Sequence, residues 1–301
     1  MKNKKTIIGL VTLLVLSLLV AGCGGKKAET PAEESVAEKF QGRVIGIEPG
    51  AGLMSASEEA IEAYGLTDYA LMDGSSATMT ATLADAIANE EWVIVTGWTP
   101  HWKFAKWDLK YLEDPKNVFG GDEQIHTLVR NGLDADMPDV YALLDNFSWT
   151  PDDMAALMVS NSEEGSDEYA NAVAWIEENA DKVAEWIPEE TATEKGTVKL
   201  IYVPWDSEIA STNVVTAVLQ EKMGYDVELI EVDAGAMYQG LASGDADGMV
   251  AAWLPTTHGH YLDAIKDDVV DLGVNLDGTK IGWVVPSYVT IDSIEDLQPT
   301  E

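Results

Sequence analysis

Tryptophans at the ends of predicted strands are the most informative residues of this sequence. The chain of 301 residues contains ten tryptophans. Three of them follow runs rich in Val, Ile and Ala: Trp98 in GWTPHW, Trp205 in PWDSEIA and Trp253 in AAWLPTTH. A single tryptophan after a strand is more often structural than functional. Several at equivalent strand ends indicate a shared aromatic pocket, because the carboxyl ends of parallel strands meet at one edge of a sheet.

Such a pocket suits a cation that has no N–H group to donate. A quaternary ammonium group combines a diffuse positive charge with an apolar surface, and both match the faces of aromatic rings. Each contact of this kind contributes about 0.5–2 kcal/mol. Three or four rings would therefore support micromolar binding, which needs about −8 kcal/mol overall. The tryptophans predict a binding site for a small quaternary amine.

A second group of residues is suited to an anion. Ser207, Glu208 and Ile209 lie between a predicted strand and a predicted helix, and free backbone N–H groups at a helix start bind carboxylates. His101 shares a loop with Trp98 and adds a side-chain donor. Every helix has such an end, and a loop histidine is usually a surface residue, so these residues carry less weight than the tryptophans.

The elements that must position these residues alternate along the chain from residue 40 onward. This alternation predicts an α/β fold with largely parallel sheets. The predicted strands are Arg43–Glu48, Trp92–Gly97, Val198–Val203, Val227–Val232, Gly248–Trp253 and Ile281–Val285. The predicted helices are Ser57–Tyr64, Met79–Glu90, Asp136–Asn146, Asp167–Trp186, Ile209–Met223 and Ala236–Ser243. The polar segment 188–196 is typical of a connection between two α/β halves. Trp175, Trp186 and Trp283 are expected in the core.

The N-terminus predicts export and a lipid anchor. Three lysines precede an apolar run over residues 7–20, and small residues then precede Cys23, as in a bacterial lipoprotein signal. We expect a signal peptide over 1–22, a lipidated Cys23 at the mature N-terminus, and a flexible tether over 23–39. Cys23 is the only cysteine, so the sequence excludes an intrachain disulfide and a cysteine-based metal cluster.

The charge balance excludes several classes of partner. With 53 acidic and 18 basic residues, the formal net charge is −35, and such a surface repels nucleic acids and anionic lipid headgroups. The main alternative class is an enzyme, because His258 and His260 form a His-x-His pair. The sequence contains no nucleophile elbow, phosphate-binding loop or HExxH motif, so we expect no enzyme, no cofactor and no metal. A ligand-sensing partner with the same kind of pocket stays open.

Four strings resemble a known family. IGIEPGAG, VTGWTPHWKFAKWDLKYLEDPKNVFG, PWDSEIA and AAWLPTTH are similar to the substrate-binding proteins of ABC transporters for glycine betaine and proline betaine, over nearly all of residues 40–301. The resemblance implies a two-lobed clamp of the type II periplasmic-binding-protein kind, with the ligand between the lobes and an ABC transporter permease as partner. It also implies a circularly permuted order of halves, with one lobe from 40–112 and 286–301 and the other from 113–285.

The resemblance also implies roles for individual residues. Trp98 and Trp253, together with Trp205, would surround the quaternary nitrogen. His101 and the backbone N–H groups of Glu208 and Ile209 would hold a carboxylate. Glu208 departs from the family, which often has a small residue there, so its side chain must point away from the ligand or the ligand differs. Glycine betaine is the expected ligand, and choline, carnitine and proline betaine are the alternatives.

Overall fold

Nine strands form the framework of residues 34–299, which are the residues that the computed structural model describes. In chain order they are β1 Arg43–Ile45, β2 Ala70–Met72, β3 Ile94–Thr99, β4 Leu109–Tyr111, β5 Glu123–Arg130, β6 Thr197–Tyr202, β7 Asp226–Glu231, β8 Gly248–Leu254 and β9 Val269–Pro286. Their spatial order is β2-β1-β3-β9-β5-β8-β6-β7, and β4 also pairs with β9. All six predicted strands are present, whereas β2, β4 and β5 were not predicted.

The long strand β9 joins two sheets. Its first part, 269–279, pairs antiparallel with β5, and its second part, 280–286, pairs antiparallel with β3 and β4. The pairings of β1 with β2 and β3, and of β6 with β7 and β8, are parallel. The prediction of largely parallel sheets is therefore wrong for the centre of the molecule. The expected lobe limit at 285/286 lies six residues past the point where β9 changes sheets, and the lobe limits themselves stay a prediction.

Helices cover the two sheets. They are α1 Val36–Lys39, α2 Gly52–Tyr64, α3 Ser76–Ala88, α4 Lys103–Lys106, α5 Leu133–Asp136, α6 Pro138–Asn146, α7 Pro151–Asn161, α8 Glu168–Glu178, α9 Ala180–Trp186, α10 Asp206–Ala217, α11 Ala234–Ala242 and α12 Gly259–Ile265. A π-helical turn, Val218–Lys222, continues α10, and a 3₁₀ helix, Ile294–Leu297, follows β9. Trp175, Trp186 and Trp283 are all buried, as expected.

Two expectations about helices need correction. The single helix predicted over Asp167–Trp186 is broken at Asn179, which leaves the helical region (φ −111°, ψ 31°) while its side-chain amide donates to the carbonyl of Trp175. The end of the expected tether forms α1, because Ser35 and Glu38 make a reciprocal capping box. The signal peptide, Cys23 and the rest of the tether lie outside the described residues.

The two ends of the folded part lie near each other. Helix α1 contacts the 3₁₀ helix Ile294–Leu297, and Glu113 bridges to Ser293. Neighbouring ends are what a permuted order of the halves requires, because a permutation joins the old termini and opens the chain elsewhere. The order of the halves itself stays a prediction.

Candidate functional site

Trp98, Trp205 and Trp253 meet at one pocket of about 300 Å³, part of which is open to solvent. Trp98 lies in β3, Trp205 precedes α10 and Trp253 lies near the end of β8, and their exposed fractions are only 3–6%. The other residues around the pocket are Ile47, Ala51, Leu53, Ser207, Thr257 and Ile281. The sequence thus places three indoles from two sheets around one largely apolar space.

Helix α10 begins beside the pocket, and its first turn binds two of the indoles. Ser207 Oγ accepts the Nε1–H of Trp98 at 3.1 Å, and Glu208 Oε1 accepts the Nε1–H of Trp253 at 2.6 Å. The Ser207 hydroxyl donates to Glu208 Oε2 at 2.5 Å. A single carboxylate therefore holds Trp253 directly and Trp98 through a serine.

The side chain of Glu208, which differs from the small residue common in the family, lies outside the lining of the pocket. Its side chain is bonded to the edge of Trp253 and is not among the residues that line the pocket. Burial raises the pKa of the Glu208 carboxyl to about 7, although hydrogen bonds from Ser207 and Trp253 oppose the shift. The charge lies behind the rings and not in direct contact with the pocket.

The third indole is held by a residue of the other sheet. Trp205 Nε1–H donates to Glu48 Oε2 at 3.0 Å, and Glu48 follows β1 while Trp205 follows β6. On its other side, the ring of Trp205 stacks on that of His258, with 5.8 Å between centroids. Trp205 lines the pocket, and its role in binding stays a prediction. Glu48 was missed, although it lies in the string IGIEPGAG that carried the resemblance.

His101 does not line the pocket. Its ring packs edge-on against Trp98 at 4.5 Å, its Nδ1 accepts the backbone N–H of Lys103, and its Nε2 lies 3.5 Å from Asp206 Oδ2. Burial, followed by the nearby Lys103, lowers the pKa of His101 to about 4. The ring therefore lies behind Trp98, its Nε2 makes no hydrogen bond within the described residues, and its contact with a ligand carboxylate stays a prediction.

The backbone N–H of Ile209, which was expected to hold a carboxylate, is already bonded within the helix. It is the fourth residue of α10, and its N–H already donates to the carbonyl of Trp205 at 2.8 Å. The helix begins earlier than predicted, at Asp206. The first three helical residues are Asp206, Ser207 and Glu208, and their backbone N–H groups have no carbonyl partner within the helix.

A buried lysine supports Trp98 from another direction. Lys103, in α4, is completely buried, and its Nζ lies 4.4 Å from the centroid of the Trp98 ring. Burial lowers the pKa of Lys103 to about 7, although Asp206 opposes the shift. Asp206 itself accepts hydrogen bonds from Ser76 at 2.6 Å and from Trp102 Nε1 at 2.7 Å.

The loops of the two sheets approach closely next to the pocket. A Cβ atom at Gly52, at the start of α2, would lie 2.0 Å from the carbonyl oxygen of Thr257. Tyr261 in α12 donates its hydroxyl to the carbonyl of Gly50 at 2.7 Å. Thr257 is fixed in turn by the buried carboxylate of Glu123, which accepts its N–H and hydroxyl. A glycine at position 52 is what this approach requires.

The described residues contain neither a metal-binding cluster nor a membrane-spanning helix. Within 34–299, no group of three or more His, Cys, Asp or Glu side chains is arranged to hold a metal ion. No helix in that range is both long enough and apolar enough to cross a membrane.

Two α/β lobes around a buried aromatic pocket are the architecture of a two-lobed substrate-binding protein. The family described as the substrate-binding domain of ABC-type glycine betaine transport systems matches residues 26–178 and 196–301, and the chain belongs to this family. The predicted family and the two-lobed α/β fold are thereby confirmed. The chain is an extracytoplasmic substrate-binding protein that works with an ABC transporter.

The chain is also similar to individual proteins. The chain is 45% identical over 298 residues to the glycine betaine/carnitine transport binding protein GbuC of Listeria monocytogenes, covering 97% of this chain and 99% of that protein. A glycine betaine/L-proline-binding protein (ProX) from Borrelia burgdorferi is 40% identical over 53% of this chain and 63% of that one, with a TM-score of 0.49. Lactococcal OpuAC, solved in a closed complex with glycine betaine, is 37% identical over 52% and 62%, with a TM-score of 0.46.

Proposed function

We propose that this chain captures glycine betaine between its two lobes and delivers it to an ABC transporter permease. The observation that carries the proposal is the convergence of Trp98, Trp205 and Trp253 on one buried pocket. The faces of three indoles suit a trimethylammonium group, which has positive charge and apolar surface but no N–H. The remaining residues that line the pocket are apolar or bear a hydroxyl group, which suits the apolar surface of such a head group.

The carboxylate of the ligand would bind at the start of α10. Ser207 lines the pocket, and the N–H groups of the first helical turn bind anions well, because they are unpaired and lie at the positive end of the helix dipole. His101, behind Trp98, would support this end by holding the ring and Asp206 in place. This assignment keeps the anion site of the sequence analysis but shifts it from Ile209 to Ser207 and Glu208.

The relatives support the choice of ligand class. Their names refer to glycine betaine, with carnitine in one case and L-proline in another. Carnitine is therefore the second candidate, ahead of choline and proline betaine. Choline has no carboxylate and would leave the start of α10 without an anion. We also propose that the protein binds without turnover, as expected for a transport binding protein.

The protein would be held at the membrane by a lipid on Cys23. The n-region, the apolar run and the small residues before Cys23 support this part of the proposal, and two acyl chains anchor a protein stably where one does not. We expect Cys23→Ala to release the protein from the membrane fraction without a change in solute affinity. Retention of the Cys23→Ala protein in membranes would contradict the anchor.

Titration calorimetry on the purified soluble domain tests the ligand. Glycine betaine, carnitine, proline betaine and choline would be titrated in turn, and the ligand recovered afterwards to check that it is unchanged. We expect glycine betaine to bind with micromolar or tighter affinity and choline to bind more weakly. Binding of choline with higher affinity than all three zwitterions would contradict the proposal, and so would chemical conversion of the ligand.

A further inference from the structure

The hydrogen bonds behind the pocket converge on one acidic side chain. Trp253 Nε1–H donates to Glu208 Oε1 at 2.6 Å. Trp98 Nε1–H donates to Ser207, whose hydroxyl donates to Glu208 Oε2 at 2.5 Å. Both oxygens of Glu208 accept hydrogen bonds from groups that belong to or support two rings of the pocket. Because Glu208 is only 1% exposed, water does not screen its charge.

The wall of the pocket carries no such charge. In the described part of the chain, the nine residues that line the pocket are apolar, aromatic or hydroxyl-bearing. A cation in this space therefore meets no charged side chain of the pocket wall, and the carboxylate of Glu208 lies at the edge of one of its rings. A carboxylate bonded to an indole N–H polarises the ring and leaves its face more negative. Its own field also reaches the cation with little screening, because both are buried.

We propose that Glu208 is a specificity-determining residue that acts through Trp98 and Trp253, supplying the negative charge that lets the pocket prefer a quaternary ammonium group over an uncharged group of the same shape. The inference rests on the proposed function, because it assumes that the pocket holds a quaternary amine. Glu208 positions and polarises the rings and does not itself touch the ligand.

The surroundings of Glu208 leave its charge responsive to a bound cation. Burial raises the pKa of Glu208 to about 7. The neighbouring ionisable groups are Asp206 on the same helix, Tyr238 of α11, and the site residues His101, Lys103 and His258. Burial lowers the pKa of both histidines, so they are neutral at pH 7, and it lowers the pKa of Lys103 to about 7, so Lys103 can also lose a proton when a cation binds. A cation without a carboxylate, such as choline, stabilises the ionised form of Glu208, and its binding near pH 7 should therefore release a proton, whereas the carboxylate of glycine betaine at the start of α10 opposes this effect.

The test compares a cation with its uncharged counterpart. Glycine betaine and 3,3-dimethylbutanoate share a carboxylate and a head of similar shape, but only the first head is positive. Affinities would be measured for the parent, Glu208→Gln and Glu208→Asp, with Glu221→Gln as a control. Glu221 accepts a hydrogen bond from Tyr169 on the exposed surface, so its change removes the same charge far from the pocket rings.

We expect Glu208→Gln, which keeps an acceptor for Trp253, to weaken glycine betaine by at least tenfold and to leave 3,3-dimethylbutanoate unchanged or slightly tighter. Glu208→Asp should retain part of the preference, and Glu221→Gln should retain all of it. Calorimetry of choline near pH 7 in two buffers of different ionisation enthalpy should detect proton release with the parent and less with Glu208→Gln. Thermal melts check that each variant is folded.

Several results would overturn the inference. If the parent binds glycine betaine and Glu208→Gln binds it equally well, the charge of Glu208 has no role while the proposed function stands. Equal losses for the two probes would show that Glu208 only holds the rings in place. If the Gln variant fails to fold, the Asp variant decides the matter, and a parent that releases no proton on binding choline contradicts the inference. Failure of the parent to bind any quaternary amine would remove the proposed function as well.

Discussion

Gly52→Ala should block closure of the two lobes without disturbing either one. The added Cβ would lie 2.0 Å from the carbonyl oxygen and 2.8 Å from the carbonyl carbon of Thr257, both of which are backbone atoms. No flexible side chain is available to move aside, so the loop after β8 must withdraw from the start of α2. We therefore expect the hydrogen bonds that span this region to lengthen or break.

The size of the effect follows from those bonds. They include Trp205 to Glu48 at 3.0 Å, Trp98 to Ser207 at 3.1 Å and Tyr261 to the carbonyl of Gly50 at 2.7 Å. Each contributes roughly 0.5–1.5 kcal/mol net, so losing two or three costs about 1–4.5 kcal/mol. The apparent affinity of a ligand that binds the closed form decreases by this amount, which corresponds to roughly 5- to 1,600-fold.

Calorimetry and thermal melts on the same variants give the test. Gly259→Ala is a matched control, because Gly259 begins α12 in the neighbouring loop and has nothing within 4 Å of an added Cβ. We expect the control to bind like the parent, and Gly52→Ala to melt near the parent but bind weakly. A Gly52→Ala protein with parental affinity would refute the reasoning that the two loops must touch for binding.

Three further predictions concern buried residues of the described part of the chain. His101→Ala should weaken glycine betaine and choline by similar factors in calorimetry, because His101 packs on Trp98; a loss confined to the zwitterion would show that it reads the carboxylate. His258→Asn should reduce the loss of unfolding free energy between pH 6.5 and 4 in denaturant titrations, since burial lowers the pKa of His258 to about 3 and the unfolded state alone takes up the proton as pH falls. The raised pKa of Glu208 has the opposite effect on stability in this pH range, so the unfolding free energies of the variant must be compared with those of the parent. Parallel pH profiles of the two proteins would contradict the lowered pKa of His258. Trp175→Leu should lower stability by about 2–3 kcal/mol with little change in affinity, and weaker binding by a fully folded variant would contradict its role as a core residue.

The positions of the three indoles were accessible to sequence analysis for a simple reason. Trp205 and Trp253 come at the ends of β6 and β8, which pair in parallel, and parallel strands present their carboxyl ends at one edge. Trp98 belongs to the other sheet but ends β3, which is parallel to β1. Hydrophobic runs and strand ends can be read locally, and the pocket depends mainly on them.

The hydrogen-bond partners of those indoles could not be predicted from the sequence. Glu48 and Trp205 are 157 positions apart in the sequence, and Glu208 and Trp253 are 45 apart, so no local pattern connects them. The direction of the His101 ring could not be predicted either, because a loop histidine next to two tryptophans can turn either toward or away from a pocket. Its direction depends on a bond from the Lys103 N–H to its Nδ1 and on packing against Trp98.

Strand β9 was largely missed because its sequence is typical of turns. Gly273 and Gly278 have positive φ values of 97° and 80°, and Asp271 and Asp277 bond to nearby backbone N–H groups. The strand continues through these residues because its pairing with β5 shifts register at several points, and such bulges accommodate extra residues. Only its apolar end, 281–285, has the composition of a strand.

The most direct test of the aromatic pocket is calorimetric titration of glycine betaine into the parent, Trp98→Leu and Trp253→Leu, with the corresponding Phe variants alongside. Leucine keeps apolar bulk but removes the π face, whereas phenylalanine retains one. We predict that each Leu variant, folded by thermal melt, binds at least about tenfold more weakly, or roughly 1.4 kcal/mol, and that each Phe variant loses less. Leu variants that bind glycine betaine like the parent would contradict the account and leave these tryptophans as packing residues.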